Sequence, residues 1–158
     1  MNPYAFSIAV LVAAFVSLPA IAADVTYTKD IRPVMEQKCL GCHGSGSPYY
    51  GDFKHDKKKY MGMMKGPRMD TYASTIYFIG WPDTGALMRR LDDGKMSKGG
   101  KPGNMYVFLG SNDEERQKNL KLFKAWVGEG GWILNRWKAR GDVPGATKEQ
   151  VSKIKVKY

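Results

Sequence analysis

The sequence predicts a small all-α domain, and three stretches carry that prediction. Residues 30–42 place Ile31, Val34, Met35 and Lys38 on one side of a helix, with Ile31 and Met35 as its buried stripe. Residues 111–127 set Leu120, Phe123 and Val127 in one apolar row, with Leu122 and Trp126 beside it. Between them, 70–79 and 83–91 read as two shorter helices. At 158 residues the chain has the size of one domain, and no internal repeat divides it.

The first helix takes Thr28 or Asp30 as its N-cap and holds Pro33 in its first turn, where proline is tolerated. It ends in Cys39-Leu40-Gly41-Cys42-His43, the C-x-x-C-H attachment site of a c-type haem. Positions i, i+3 and i+4 share one helix face, so Cys39, Cys42 and His43 point the same way. The two sulfurs can then add to the two vinyl groups of one porphyrin while the imidazole reaches the iron. A thioredoxin-like redox pair would call for a strand–helix context. A zinc site needs about four ligands. These are the only two cysteines, and His55, in a lysine-rich loop, is the one other histidine. One motif implies one covalent haem c and leaves no cysteine for a disulfide.

The N-terminus reads as export machinery. An apolar run from Ala5 to Leu18 precedes Pro19-Ala20-Ile21-Ala22, an A-x-A-like cleavage site. Cleavage after Ala22 is the first choice and after Ala23 the second, although the segment before the run has no Lys or Arg. The rival is a retained membrane anchor, since the run is close to the roughly 20 residues of a span. Haem c is attached outside the bacterial cytoplasm, so signal and haem motif agree on the periplasm. The chain divides into a signal peptide (1–22), a haem-bearing domain (23–135) and a basic C-terminal extension (136–158).

Residues 44–68 read mostly as loop, and Met61, Met63 and Met64 within them as gap-filling packing rather than a metal site. His55 reads as an exposed loop histidine, with iron ligation as its alternative. Asp70 is expected to cap the helix that Trp81-Pro82 breaks, and Asp83-Thr84 to start the next, which Gly94 ends. Tyr72, Tyr77, Phe78 and Trp81 are core candidates. Ser111 with Glu114 forms an S-x-x-E capping box, and Gly128, Gly130 and Gly131 stop the last long helix. Trp132 to Trp137 is expected to pack back on the domain. The extension holds seven Lys/Arg against two acids and reads as a loosely ordered basic tail, with Thr147 and Gln150 as caps for a short helix.

An N-terminal helix ending in C-x-x-C-H, then a methionine loop and a capped helix with a late aromatic, resembles the class I monohaem cytochromes c. The resemblance covers about residues 25–128 and implies a cytochrome c-like helical domain packed around the haem. Gly66-Pro67 resembles the Gly-Pro pair of that family, whose proline carbonyl accepts the proximal histidine's Nδ1 hydrogen. Pro67 is the candidate and Pro48 the runner-up, with 44–65 as an insertion. The family's distal ligand precedes its last helix, which points to Met105, with Met96 second. Met105 departs from the family in being followed by Tyr106 rather than proline. Trp126 matches the aromatic at the crossing of the two terminal helices and is expected to meet Ile31 and Met35.

Class I membership implies a periplasmic electron carrier, not an enzyme, with His43 and Met105 on an iron that cycles between Fe(II) and Fe(III). The rivals are a haem enzyme such as a peroxidase, or a gas sensor, with an open sixth site. A subunit of a larger oxidoreductase attached through the basic tail, or an anchored donor that keeps 1–23, stand beside them. Against the enzyme, no acid/base constellation is visible. A net charge of +10 suits redox partner proteins with acidic docking faces, or an anionic membrane. Nucleic acid ranks last, for no such motif accompanies the charge. The lysines cluster at Lys54 to Lys65 and at Lys95 to Lys101.

Overall fold

A computed structural model describes residues 24–80, 83–97, 99–134 and 146–158. Residues 1–23, where a signal peptide is expected, Trp81-Pro82, Lys98 and residues 135–145, which include Trp137, lie outside the described residues. Among the described residues there are helices and turns but no strand. No helix among them is long and apolar enough to cross a membrane.

The first helical segment starts earlier than the sequence suggests. Thr26 is its cap: its Oγ1 accepts the Lys29 N–H at 3.3 Å, and Asp30 Oδ2 accepts the Thr26 N–H at 2.8 Å. A wide π-helical turn, Tyr27–Ile31, closes with Arg32 N–H on the Tyr27 carbonyl. It passes directly into α1 (Arg32–Lys38). Pro33 explains the handover, because it has no N–H for the regular ladder. Cys39, at φ −118°, interrupts the helix, and α2 (Leu40–His43) completes it.

About half of residues 44–68 is loop, and the rest is helical. The helices are α3 (Tyr50–His55) and α4 (Lys57–Gly62). Asp56 Oδ1 caps α4 by accepting the Lys59 N–H at 3.1 Å. Lysine is a good helix former, and Phe53 stacks on Tyr60 at 6.4 Å to close the pair. The gap-filling role expected of Met61, Met63 and Met64 fails: they are 59%, 58% and 74% exposed.

Three caps sit one or two residues from their expected places. In α5 (Tyr72–Ile76) Thr71 and Ser74 cap reciprocally, while Asp70 takes a two-pronged bond from Arg68, both prongs 2.7 Å. The helix α6 (Ala86–Leu91) starts at Gly85, and Asp83 accepts from Arg89 at 2.6 Å. A short 3₁₀ turn, Tyr106–Leu109, leads to α7 (Asp113–Val127). Asn112 caps α7 with its Oδ1 on the Glu115 N–H at 2.9 Å. Ser111 donates from N and Oγ to Glu115 Oε2, at 2.7 and 2.9 Å. The box expected between Ser111 and Glu114 is therefore shifted by one residue.

The apolar row of α7 is buried as its spacing predicts: Leu120, Phe123, Trp126 and Val127 are all within 1% of fully buried. They share a core with Ile31 and Met35. The rings against Trp126 are Tyr27 at 5.8 Å, Tyr72 at 6.4 Å and Phe123 at 6.5 Å. The long helix thus crosses the N-terminal segment at the π-helical turn. Trp132 is half-buried against the core, its Nε1–H on the Lys124 carbonyl at 3.0 Å.

The end of the basic extension is not a loose tail. Thr147 and Gln150 cap α8 (Lys148–Ser152) as their types suggest. Beyond it the chain runs along α7 and the first turn. Lys155 N–H binds the Val127 carbonyl at 2.9 Å and Val156 N–H that of Trp126 at 3.0 Å. The Lys157 carbonyl accepts from both Trp126 Nε1 and Tyr27 N at 2.8 Å. The signal was present in the sequence: Lys153-Ile154-Lys155-Val156-Lys157-Tyr158 alternates polar and apolar with period two, the mark of an extended segment with one face covered. Gly128 makes room for it. Its φ is +99°, and a Cβ there would lie 2.4 Å from the Lys153 carbonyl oxygen.

Candidate haem-binding site

The three residues of the haem motif stand together because α2 is one turn built on Cys39. Both the Cys42 and the His43 N–H groups return to the Cys39 carbonyl, at 3.1 and 3.0 Å. Cys39 and Cys42 are half-buried and not bridged to each other. Burial, with a smaller contribution from Cys42, pushes the Cys39 thiol up to about 11.

The segment after α4 wraps the histidine. Gly66 N–H binds the Cys42 carbonyl and Met69 N–H the His43 carbonyl, each at 2.8 Å. Ser47 Oγ adds a third bond, to the Cys42 carbonyl at 2.8 Å. These contacts fill the orphan carbonyls at the end of α2 and hold 66–69 against the imidazole. His43 Nδ1 then lies 2.7 Å from the Pro67 carbonyl oxygen. A carbonyl only accepts, so Nδ1 carries the hydrogen and Nε2 is left with its lone pair. Burial holds the imidazole below its ordinary pKa, and the Pro67 carbonyl pulls the other way. The neutral form is the one that binds a metal. Pro48 serves elsewhere, since its carbonyl accepts the Arg68 N–H at 2.8 Å.

Gly66 is a residue that the sequence marked only as a neighbour of Pro67. A Cβ built there would come within 2.2 Å of His43 Cε1, 2.7 Å of Nδ1 and 2.9 Å of Nε2. The imidazole occupies the volume of the missing side chain.

Met105 is half-buried and packs against the core cluster. Its N–H is held by the Arg90 carbonyl at 2.9 Å, and it opens the 3₁₀ turn. That turn is pinned by Tyr106, whose hydroxyl donates to Asp113 Oδ1 at 2.8 Å and accepts from Gln117 Nε2 at 2.7 Å. Asn119 Nδ2 holds the Leu109 carbonyl at 2.6 Å. Met96 is 64% exposed, and His55 is exposed in the last turn of α3. One further tie was invisible in the sequence. Lys38 at the end of α1 pairs with Glu115 in the first turn of α7 at 2.5 Å. It locks the helix that carries the haem motif to the helix that follows Met105.

This donor set fits haem c. Two unbridged cysteines and one imidazole lie within one helical turn, the imidazole is fixed in the Nε2-free tautomer, and a glycine cradle surrounds its ring. Known proteins point the same way. The family profile described as PccH cytochrome c matches residues 26–158, through the C-terminal extension. The solved structure of the monohaem cytochrome PccH from Geobacter sulfurreducens superposes with a TM-score of 0.74 at 51% identity, covering 85% of this chain and 99% of that one. No curated protein matches the chain. With the haem motif, the histidine clamp and the profile all in accord, the chain belongs to the PccH cytochrome c family, a family of monohaem cytochromes that bind one covalently attached haem c.

Proposed function

We propose that this protein is a periplasmic electron carrier in which His43 and Met105 would hold the haem iron. The observation that carries the reading is the His43 clamp: Pro67 fixes Nδ1 and Gly66 fits the ring, so Nε2 alone is presented. When bound, the haem supplies a one-electron Fe(II)/Fe(III) couple, which needs no bond making in the protein. Cys39 and Cys42 retain the group through thioethers. The Pro67 carbonyl keeps the imidazole in one orientation across both charge states and raises its donor strength.

Met105 is favoured over Met96 because it is half-buried on an anchored turn, whereas Met96 stands in solvent. A thioether ligand favours a higher potential than two nitrogen ligands. The basic surface is read as a docking aid for redox partners with acidic faces. The subunit reading loses its main support, since the last residues of the extension bind their own domain.

The test is the spectrum of the oxidised holoprotein. A methionine sulfur on ferric haem gives a weak long-wavelength charge-transfer band, and Met105→Ala should abolish it while Met96→Ala leaves it. Retention of the band in Met105→Ala would move the ligand elsewhere. Mass spectrometry of the exported protein should find an N-terminus at Ala23 or Asp24. Recovery from membranes with Met1 retained would replace the soluble carrier by an anchored one.

A further inference from the structure

The α3–α4 excursion sits between the haem motif and Pro67, and its outer end is chemically unusual. Lys57, Lys58 and Lys59 are all exposed. They lead into Met61, Met63 and Met64, three large apolar side chains that are 58–74% exposed. Met64, at φ +55°, is the left-handed residue that ends α4: its N–H returns to the Met61 carbonyl at 3.0 Å and the Lys65 N–H to the Tyr60 carbonyl at 2.8 Å. Exposed apolar groups so close along the chain mark an interaction surface. Methionine suits such a surface, because its flexible, polarizable side chain adapts to varied partners.

The surrounding charge selects the occupant. Thioethers are soft ligands, but three adjacent lysines repel a metal cation. Successive helical residues are turned by about 100°, so Lys57–Lys59 encircle the helix instead of occupying one side. A membrane-surface helix keeps its basic and apolar faces apart. An acidic protein surface satisfies both features: carboxylates for the lysines and an apolar centre for the methionines.

The excursion is also wired to the haem-binding helix. Lys65 N–H binds the Tyr60 carbonyl at 2.8 Å, and the next residue, Gly66, binds the Cys42 carbonyl at 2.8 Å. Lys65 Nζ reaches the Gly41 carbonyl at 3.2 Å. Two hydrogen bonds and one peptide link therefore join the body of α4 to a haem-attaching cysteine. In the Lys95–Lys101 loop, by contrast, the hydrogen bonds of the described residues run to Asp92 and Asp93 or stay within the loop.

We propose that Met61, Met63 and Met64, with the adjoining Lys57–Lys59, form the docking face for an acidic redox-partner protein, so that electrons are exchanged on the Cys42 side of the molecule. This rests on the electron-carrier reading. The experiment uses the holoprotein, with reduced flavodoxin as the acidic protein probe and reduced lumiflavin as a small neutral control. The variants are Lys57→Glu/Lys58→Glu/Lys59→Glu, Met61→Ser/Met63→Ser/Met64→Ser and Lys95→Glu/Lys101→Glu.

At low salt the first variant should be reduced by flavodoxin about tenfold more slowly than the parent, and its rate should lose most of its salt dependence. The methionine variant should slow severalfold with the salt dependence kept. Lumiflavin should reduce all of them equally, and amide resonance shifts on adding oxidised flavodoxin should cluster at 57–64. A rate damaged by the Lys95/Lys101 variant and spared by both α4 variants would overturn the proposal. So would α4-dependent binding to phosphatidylglycerol vesicles with an unchanged flavodoxin rate. Failure of the parent to cycle reversibly with lumiflavin would instead sink the carrier reading itself.

Discussion

His43 Nδ1 stands 2.7 Å from the carbonyl oxygen of Pro67, 24 residues further along the chain. The bond is long-range in sequence yet short in space because 66–69 is laced to the end of α2 by backbone hydrogen bonds. It decides which imidazole nitrogen is free, and Gly66 decides that the ring fits at all.

Gly66→Ala should therefore be a severe change. Its Cβ meets three ring atoms within 3 Å, so the imidazole or the 66–69 segment must move. Overpacking of this kind costs about 1–3 kcal/mol. Urea unfolding of the holoprotein should show that loss, with an altered Soret spectrum from a displaced ligand. Gly62→Ala, which meets nothing within 4 Å, is the matched control and should leave both unchanged.

Met105→Ala should separate ligation from packing. The residue is half-buried, so lost packing alone should cost about 1–2 kcal/mol, below the roughly 2–5 of a fully buried methionine. If its sulfur holds the iron, carbon monoxide should bind the reduced variant readily and the reduction potential should fall. Met96→Ala should change neither quantity by a measurable amount, since Met96 is 64% exposed.

The Lys38–Glu115 pair predicts a specific acid limb. The hydrogen bond from Lys38, then those from Ser111, hold the Glu115 carboxyl down from 4.5 to about 2. A carboxyl depressed in the folded state contributes stability that is present in full above its unfolded pKa. That contribution should fade as pH drops from about 4.5 towards about 2. Glu115→Gln removes the titration, so stability measured across this window should fall less steeply in the variant than in the parent. An unchanged slope would mean that the pair does not persist in solution.

Removal of residues 153–158 should destabilise the whole domain rather than trim a tail. The segment carries backbone bonds to Tyr27, Thr28, Trp126 and Val127 and accepts from the side chains of Trp126 and Tyr72. At about 0.5–1.5 kcal/mol for each bond, the truncation should cost several kcal/mol. Tyr72→Phe isolates one of them, the 2.6 Å bond to the Val156 carbonyl, and should cost about 1 kcal/mol. Chemical denaturation measures both, and amide exchange should quicken at Tyr27 and Thr28 in the truncated form.

Local and periodic signals were legible in the chain alone. C-x-x-C-H specified the cofactor because its spacing is read within one helical turn. The period of Leu120, Phe123 and Val127 foretold the buried face of α7, and the Thr147/Gln150 pair foretold the cap of α8, since both signals act over three or four residues. Where a cap moved, as from Ser111 to Asn112, two adjacent residues could each start the helix and packing chose between them.

Whatever joins distant residues was settled only by the folded molecule. No local rule puts Glu115 on Lys38, since 77 residues separate them and only the crossing of the helices brings them together. The exposure of Met61, Met63 and Met64 is likewise not a property of methionine, which packs or waits in solvent according to whether a neighbouring element covers it. The extension was read as a loose tail because the alternation at 153–158 names a face without naming what lies against it. The surface that received it, Tyr27, Tyr72 and Trp126, exists only once the first turn and α7 have crossed.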